Sequence, residues 1–160
     1  SSKSFEMVLG KKKMILSSPN VRQLLLNTGW FEYKVATLLN KWDKCKEIYV
    51  GVNFPAKNNS SKNEIDIIVN AGSKLIFVEC KTKIDDKTAL DKFSSATKNF
   101  AGSGTMKLFV QNELIDEKSL EKCKDNNILS YSLSQHGIKD THEENLAFLL
   151  DEAIKDIMPK

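Results

Sequence analysis

The sequence predicts an α/β domain in which a mixed central sheet is covered by helices on both faces. Three observations predict it. Short runs of β-branched and aromatic residues alternate with longer segments whose apolar residues recur at helical spacing. After an initial meander of strands the order becomes helix, strand, helix, strand, helix, and strands separated by helices pair in parallel. The run Lys74–Cys80 is apolar on both sides, Leu75 and Phe77 against Ile76 and Val78, which marks a central strand buried on both faces.

At 160 residues the chain has the length of one domain with a sizeable core. The first residues, Ser1-Ser2-Lys3-Ser4, suit a piece of a longer protein. The expectation is a single domain over 1–160, with a core over about 20–135 and a closing helix over 143–158. A net charge of +3 permits contact with nucleic acid without requiring it. The three cysteines, Cys45, Cys80 and Cys123, are odd in number and form no CxxC or Cys/His metal pattern. Reduced thiols in a cytoplasmic protein are expected. No apolar run approaches the roughly 18 residues that cross a bilayer, and no signal-peptide pattern is present.

The elements follow in order. Phe5–Leu9 suits a short strand, and the lysines at 11–13 read as a solvated turn in preference to a phosphate contact. Ser17-Ser18-Pro19-Asn20 is a helix-start cluster. From Val21 to Lys41 the residues Leu25, Thr28, Glu32, Val35, Ala36 and Leu39 fall on one helical face. Gly29 weakens that helix by roughly 1 kcal/mol, so a break or fresh start is expected there. Glu32 is the odd acid on the stripe: a rim salt bridge to Lys34 or another nearby base and an inward-facing carboxylate are equally open readings. Glu47–Phe54 is a strand, and 55–62 a polar loop.

Asn63–Asn70 and Lys74–Cys80 form a hairpin through Ala71-Gly72-Ser73. Asp85-Asp86 caps a helix to Phe100 with Ala89, Leu90, Phe93, Ala96 and Phe100 on its apolar side. Gly102 and Gly104 read as a helix stop. Met106–Gln111 is a strand, 116–124 a short helix, and 128–133 a strand. Residues 143–158 form an amphipathic helix with an acidic first turn. His136 and His142 lie in a polar segment and are expected to be solvated. Trp30 and Trp42 are expected to pack in the core.

The hairpin carries the chemistry. Glu64 and Asp66 share one face by alternation, as do Glu79 and Lys81. Charges buried there are costly unless paired or bound to a metal. Asp66 and Glu79 are hard oxygen donors for Mg²⁺ or Mn²⁺, and the backbone carbonyl of Cys80 adds a third. Glu32 facing the same place would allow a second metal or an outer-shell water. Lys81 is placed to stabilise phosphoryl charge or help activate a water. Together they suit phosphodiester hydrolysis, which needs no His or Ser nucleophile. No P-loop, dinucleotide fingerprint or HExxH is present. This reading requires Glu32, Asp66, Glu79 and Lys81 to converge. The competing reading is a structural ion-pair cluster.

Asp66 followed by Glu79-Cys80-Lys81 resembles the PD-(D/E)XK motif of restriction-endonuclease-like nucleases, with Ile65 in place of the motif's proline. The strings Gly29-Trp30-Phe31-Glu32, Asn63-Glu64-Ile65-Asp66 and Phe77-Val78-Glu79-Cys80-Lys81-Thr82 resemble the nuclease domain of CARF-fused CRISPR ancillary nucleases and their relatives. The resemblance covers roughly 24–110. It implies an αβββαβ core and a metal-dependent nuclease acting on DNA, RNA or both. It also implies catalytic roles for Glu32, Asp66, Glu79 and Lys81, with metal at Asp66, Glu79 and the Cys80 carbonyl and with Glu32 through water. Lys62 and Lys83 are the candidate nucleic-acid contacts. Homodimerisation and an N-terminal sensor domain are further implications, and no membrane partner is expected. The alternative is a non-catalytic nucleic-acid-binding or assembly module on the same fold.

Overall fold

The computed structural model describes residues 5–9, 12–16, 28–54, 63–84, 88–100, 102, 104–135 and 137–157. Phe5–Leu9 (β1) and Lys12–Leu16 (β2) pair antiparallel as a separate sheet. Lys12 and Lys13 therefore belong to a strand, where a turn was expected, because Leu16 and Ile15 pair back onto Phe5 and Glu6.

Glu47–Phe54 (β3), Asn63–Asn70 (β4), Leu75–Lys81 (β5), Met106–Gln111 (β6) and Leu129–Ser132 (β7) form the main sheet in that order. The first three strands meander antiparallel; β6 and β7 then add in parallel. The sheet is mixed, with β5 at its centre, as the two-sided apolar run predicted. The helices Gly29–Asn40 (α1), Thr88–Phe100 (α2), Glu117–Asp125 (α3) and His142–Ile157 (α4) cover it.

Two cores result, one on each face. Phe31, Val35 and Leu39 of α1 and Leu146, Leu150 and Ile154 of α4 pack on Ile67, Val69, Ile76, Val78, Leu108 and Val110. Leu90 and Phe93 of α2, with Cys123 of α3, pack on Ile65, Ile68, Phe77 and Phe109. Burying a large apolar side chain contributes roughly 1.5–3 kcal/mol, so each helix is fixed chiefly by this packing. The two-layer cover is what brings the ends of the strands, and the charges they carry, to a common rim.

The helix over 21–41 is described only from Gly29, where a fresh start was expected; the segment before Thr28 lies outside the described residues. Its buried stripe is Phe31, Val35, Ala36 and Leu39. Thr28 is exposed and Glu32 lies beside that stripe, half-buried. The polar loop 55–62 and the expected cap Asp85-Asp86 lie outside the described residues. Asp116 caps α3 by accepting the Ser119 N–H at 3.1 Å. Thr141 and Glu144 cap α4 reciprocally: the Glu144 N–H donates to Thr141 Oγ1 and the Thr141 N–H to Glu144 Oε2.

Trp42 is buried, its indole N–H donating to Asp151 at 3.2 Å, but Trp30 is exposed. His142 is half-buried instead of solvated, with Nδ1 2.9 Å from the Tyr131 hydroxyl. The fold brings strand β7 against the first turn of α4, a contact between segments separated by a polar loop. His136 lies outside the described residues. Among the described residues no helix is long and apolar enough to cross a membrane.

Along β4 the alternation of faces breaks once. Ile67 and Val69 join the α1/α4 core, while Ile65, two residues from Ile67, lies with Ile68 in the opposite core. The break falls at Asp66. There the pairing with β3 skips the position opposite Gly51, which has φ 65°, and the pairing with β5 ends at Ile67 and Val78. A strand interrupted in this way turns one side chain out of the regular pleat.

Candidate active site

Asp66 occupies the point where β4 and β5 stop pairing. Its Oδ2 accepts the backbone N–H of Cys80 at 2.7 Å, taking the place of a strand carbonyl. The N–H and C=O of one strand residue point the same way, so the Cys80 carbonyl also faces Asp66. The Lys81 carbonyl faces the other strand and accepts the Asn112 N–H at 3.0 Å. One step along β5, Glu79 and Lys81 lie on the face opposite the buried Cys80. Lys81 Nζ meets Glu79 Oε1 at 2.7 Å, with side chains 32% and 12% exposed.

Burial, and then the neighbouring Asp66 charge, push the Glu79 carboxyl up to about 7, against the pull of Lys81. Burial also raises Asp66, partly offset by the Cys80 N–H and by Lys81. For Lys81, burial favours the neutral amine, but the Glu79 charge and hydrogen bond, with Asp66 behind them, hold its pKa above the ordinary value. The Cys80 thiol is raised well above its usual range by burial and then by the surrounding carboxylates. It is an inert neighbour.

Glu32 reaches this group electrostatically from α1. Burial raises its pKa first and the Asp66 charge next, while Thr28 Oγ1 donates to it at 3.1 Å. The expected convergence is therefore graded. Asp66, Glu79 and Lys81 sit together, and Glu32 shares their field but is held by Thr28. Among the described residues no three His, Cys, Asp or Glu side chains are gathered closely enough to hold a metal ion. Glu32, Asp66 and Glu79 thus do not form a side-chain cage.

Two mutually repelling, desolvated carboxylates beside a backbone carbonyl still match a hard divalent cation, which would relieve their repulsion. The donors on offer are two carboxylates and a carbonyl. Lys83 follows the strand and is exposed; Lys62 lies outside the described residues.

Sequence reasoning missed the polar row beyond Lys81. Gln111 is the register partner of Lys81, and Ser132 that of Gln111, at the carboxyl ends of three parallel strands. Three side chains hold three successive carbonyls of the loop after β6. Ser134 donates to Asn112, Ser132 to Glu113 and Gln111 Nε2 to Leu114, at 2.6, 2.8 and 2.8 Å. A glutamine closing the apolar run Leu108–Val110 was the available signal. Ligands of open α/β sheets sit outside such carboxyl ends.

A family model described as the Card1-like endonuclease domain matches residues 20–139. A search of curated proteins finds no match. Among solved structures, Can2 from Sulfobacillus thermosulfidooxidans, in complex with cyclic tetra-adenylate, is similar at TM-score 0.65 and 22% identity. That alignment covers 94% of this chain and 42% of Can2. Protein VC1899 from Vibrio cholerae is similar at TM-score 0.63 and 16% identity, over 92% of this chain and 38% of that one. A protein of unknown function, AF1548, follows at TM-score 0.53 and 17% identity, over 84% and 72%. At these identities the likenesses show the fold. The chain spans less than half the length of the first two.

Proposed function

The chain belongs to the Card1-like endonuclease domain family, and from that membership we propose that it is a divalent-metal-dependent phosphodiester hydrolase of the PD-(D/E)XK type. Its cation is Mg²⁺ or Mn²⁺ and its substrate DNA, RNA or both. The observation that carries the reading is the half-buried Glu79–Lys81 pair beside Asp66, at the point where β4 and β5 part. A purely structural ion pair would not need a second half-buried carboxylate raising the pKa of the first.

In this reading Asp66, Glu79 and the Cys80 carbonyl hold the cation, and Glu32 acts through water. A cation held there would supply Lewis acidity toward the phosphate and a water of lowered pKa. Asp66 is oriented by the Cys80 N–H, so its other oxygen is fixed in direction. Lys81 remains protonated because two carboxylates surround it, and its ammonium is the group that steadies charge developing on the phosphoryl oxygens. Lys83 and Lys62 guide the backbone of the substrate. In the whole protein the domain serves as the effector of a CRISPR-associated or other defence system, coupled to a sensor domain and working as a homodimer.

The test is incubation of this chain with supercoiled plasmid and with single-stranded RNA in Mn²⁺ or Mg²⁺, with EDTA controls, beside Glu79→Ala and Lys81→Ala. Cleavage that needs the ion and is lost in both variants is expected. Cleavage surviving both substitutions would remove the assignment, and metal-independent binding without cleavage would favour the non-catalytic module.

A further inference from the structure

Gln111 is buried to 3% exposure and only half satisfied. Its Nε2 donates to the Leu114 carbonyl, while its Oε1 has no hydrogen-bond partner among the described residues. Buried acceptors without partners are rare and costly. A loop clamp alone does not explain this one, since Ser132 and Ser134 already hold the adjacent carbonyls. Placement does. Phe109 faces the α2/α3 core with Phe77, and Gln111, two residues on, shares that face. In the parallel register Glu79 lies beside Phe109 and Lys81 beside Gln111. Glu79, Lys81 and Gln111 therefore line one face at the carboxyl ends of β5 and β6.

We propose that Gln111 is a positioning residue, whose side-chain oxygen accepts the Lys81 ammonium when Glu79 is taken up by the divalent cation. The inference rests on the metal-dependent reading above. In this structure Glu79 is the acceptor for Lys81. An ion on Glu79 withdraws that acceptor and leaves a half-buried ammonium to be held by something else. A third carboxylate would hold it but would compete for the ion. A neutral amide oxygen holds it without doing so. The Leu114 carbonyl fixes the amide in orientation, since only the Nε2 end can donate there. Gln111 thereby eases ion binding without being a ligand, and keeps Lys81 at the rim where the phosphate arrives.

The experiment is a calorimetric Mn²⁺ titration of the wild type, Gln111→Met, Lys81→Met and the double variant, with Glu79→Ala as reference. Gln111→Met is expected to weaken Mn²⁺ binding by roughly five- to tenfold when Lys81 is present and to leave it unchanged in Lys81→Met. Ser132→Ala, which removes the neighbouring clamp, is expected to lower Tm but not Mn²⁺ affinity. Equal weakening in both Lys81 backgrounds, or none in either, would overturn the proposal and leave Gln111 a loop clamp. Wild-type binding that survives Glu79→Ala, or no binding at all, would overturn the metal reading and this inference with it. The two failures are thus separable.

Discussion

Asp66 and Cys80 are joined across the gap between β4 and β5 by a side-chain-to-backbone hydrogen bond of 2.7 Å, at the residue where the strand alternation reverses. Asp66 therefore has two duties, one structural and one chemical, and substitution separates them. Asp66→Ala leaves the Cys80 N–H unpaired and is expected to cost about 1–3 kcal/mol in urea unfolding. Asp66→Asn keeps an acceptor and is expected to be as stable as the wild type or more so, because it removes a desolvated charge. Both are expected to lose at least about a hundredfold in cleavage rate, given the size of electrostatic terms at such sites. An Asn variant that cleaves normally would take Asp66 out of the metal site.

The Glu79 carboxyl gives stability a definite pH dependence in EDTA. Its folded pKa is about 7 against an ordinary 4.5. The native state therefore keeps a proton that the unfolded chain has lost, and unfolding free energy falls as pH rises through this window. The contribution is fully present below the ordinary value and gone above the folded one. Relative to Glu79→Gln, the wild type is expected to lose about 3 kcal/mol between the two limits. Added Mn²⁺ favours the carboxylate, so its gain in Tm is expected to be larger above neutrality than at acid pH. Parallel stability curves for the two proteins would contradict this.

Gly51 stands opposite Asp66 with a positive φ of 65°, and a Cβ there would come no closer than 4.0 Å to its nearest neighbour, Glu64 Oε1. Space is available, so the penalty for Gly51→Ala is backbone strain, expected at about 1–2 kcal/mol. If the strained residue supports the turn of Asp66 out of the pleat, metal affinity falls with stability. A matched substitution at the exposed Gly72, φ 82°, is expected to cost stability without touching the ion.

The thiols offer a check on burial. Cys80 and Cys123 are buried and Cys45 partly exposed. Burial pushes the Cys123 thiol up to about 11. Under native conditions a thiol reagent is expected to modify one cysteine per chain, Cys45, and to reach three only after unfolding. Rapid native modification of Cys80 would mean that β5 is open to solvent.

Much of this protein was determined by the sequence alone, because periodicity and capping are local. The strands 47–54, 63–70 and 106–111 and the centrality of β5 are legible in single runs of residues. So are Asp66, Glu79 and Lys81, since charge at the ends of apolar strands is conspicuous wherever the strands lie. Tertiary structure alone decided the rest. The face of Ile65 depends on an interruption set by Gly51 and by the end of the β5 pairing, neither visible in the alternation of β4 itself. Glu32 needed the path of α1 to place it beside the group yet tied to Thr28. Gln111 met Lys81 only through parallel register between strands separated by a helix. A hydrophobic pattern records which side of an element faces the core. Which polar ends then become neighbours depends on how distant strands are paired, and that is fixed when the whole sheet closes under its helices.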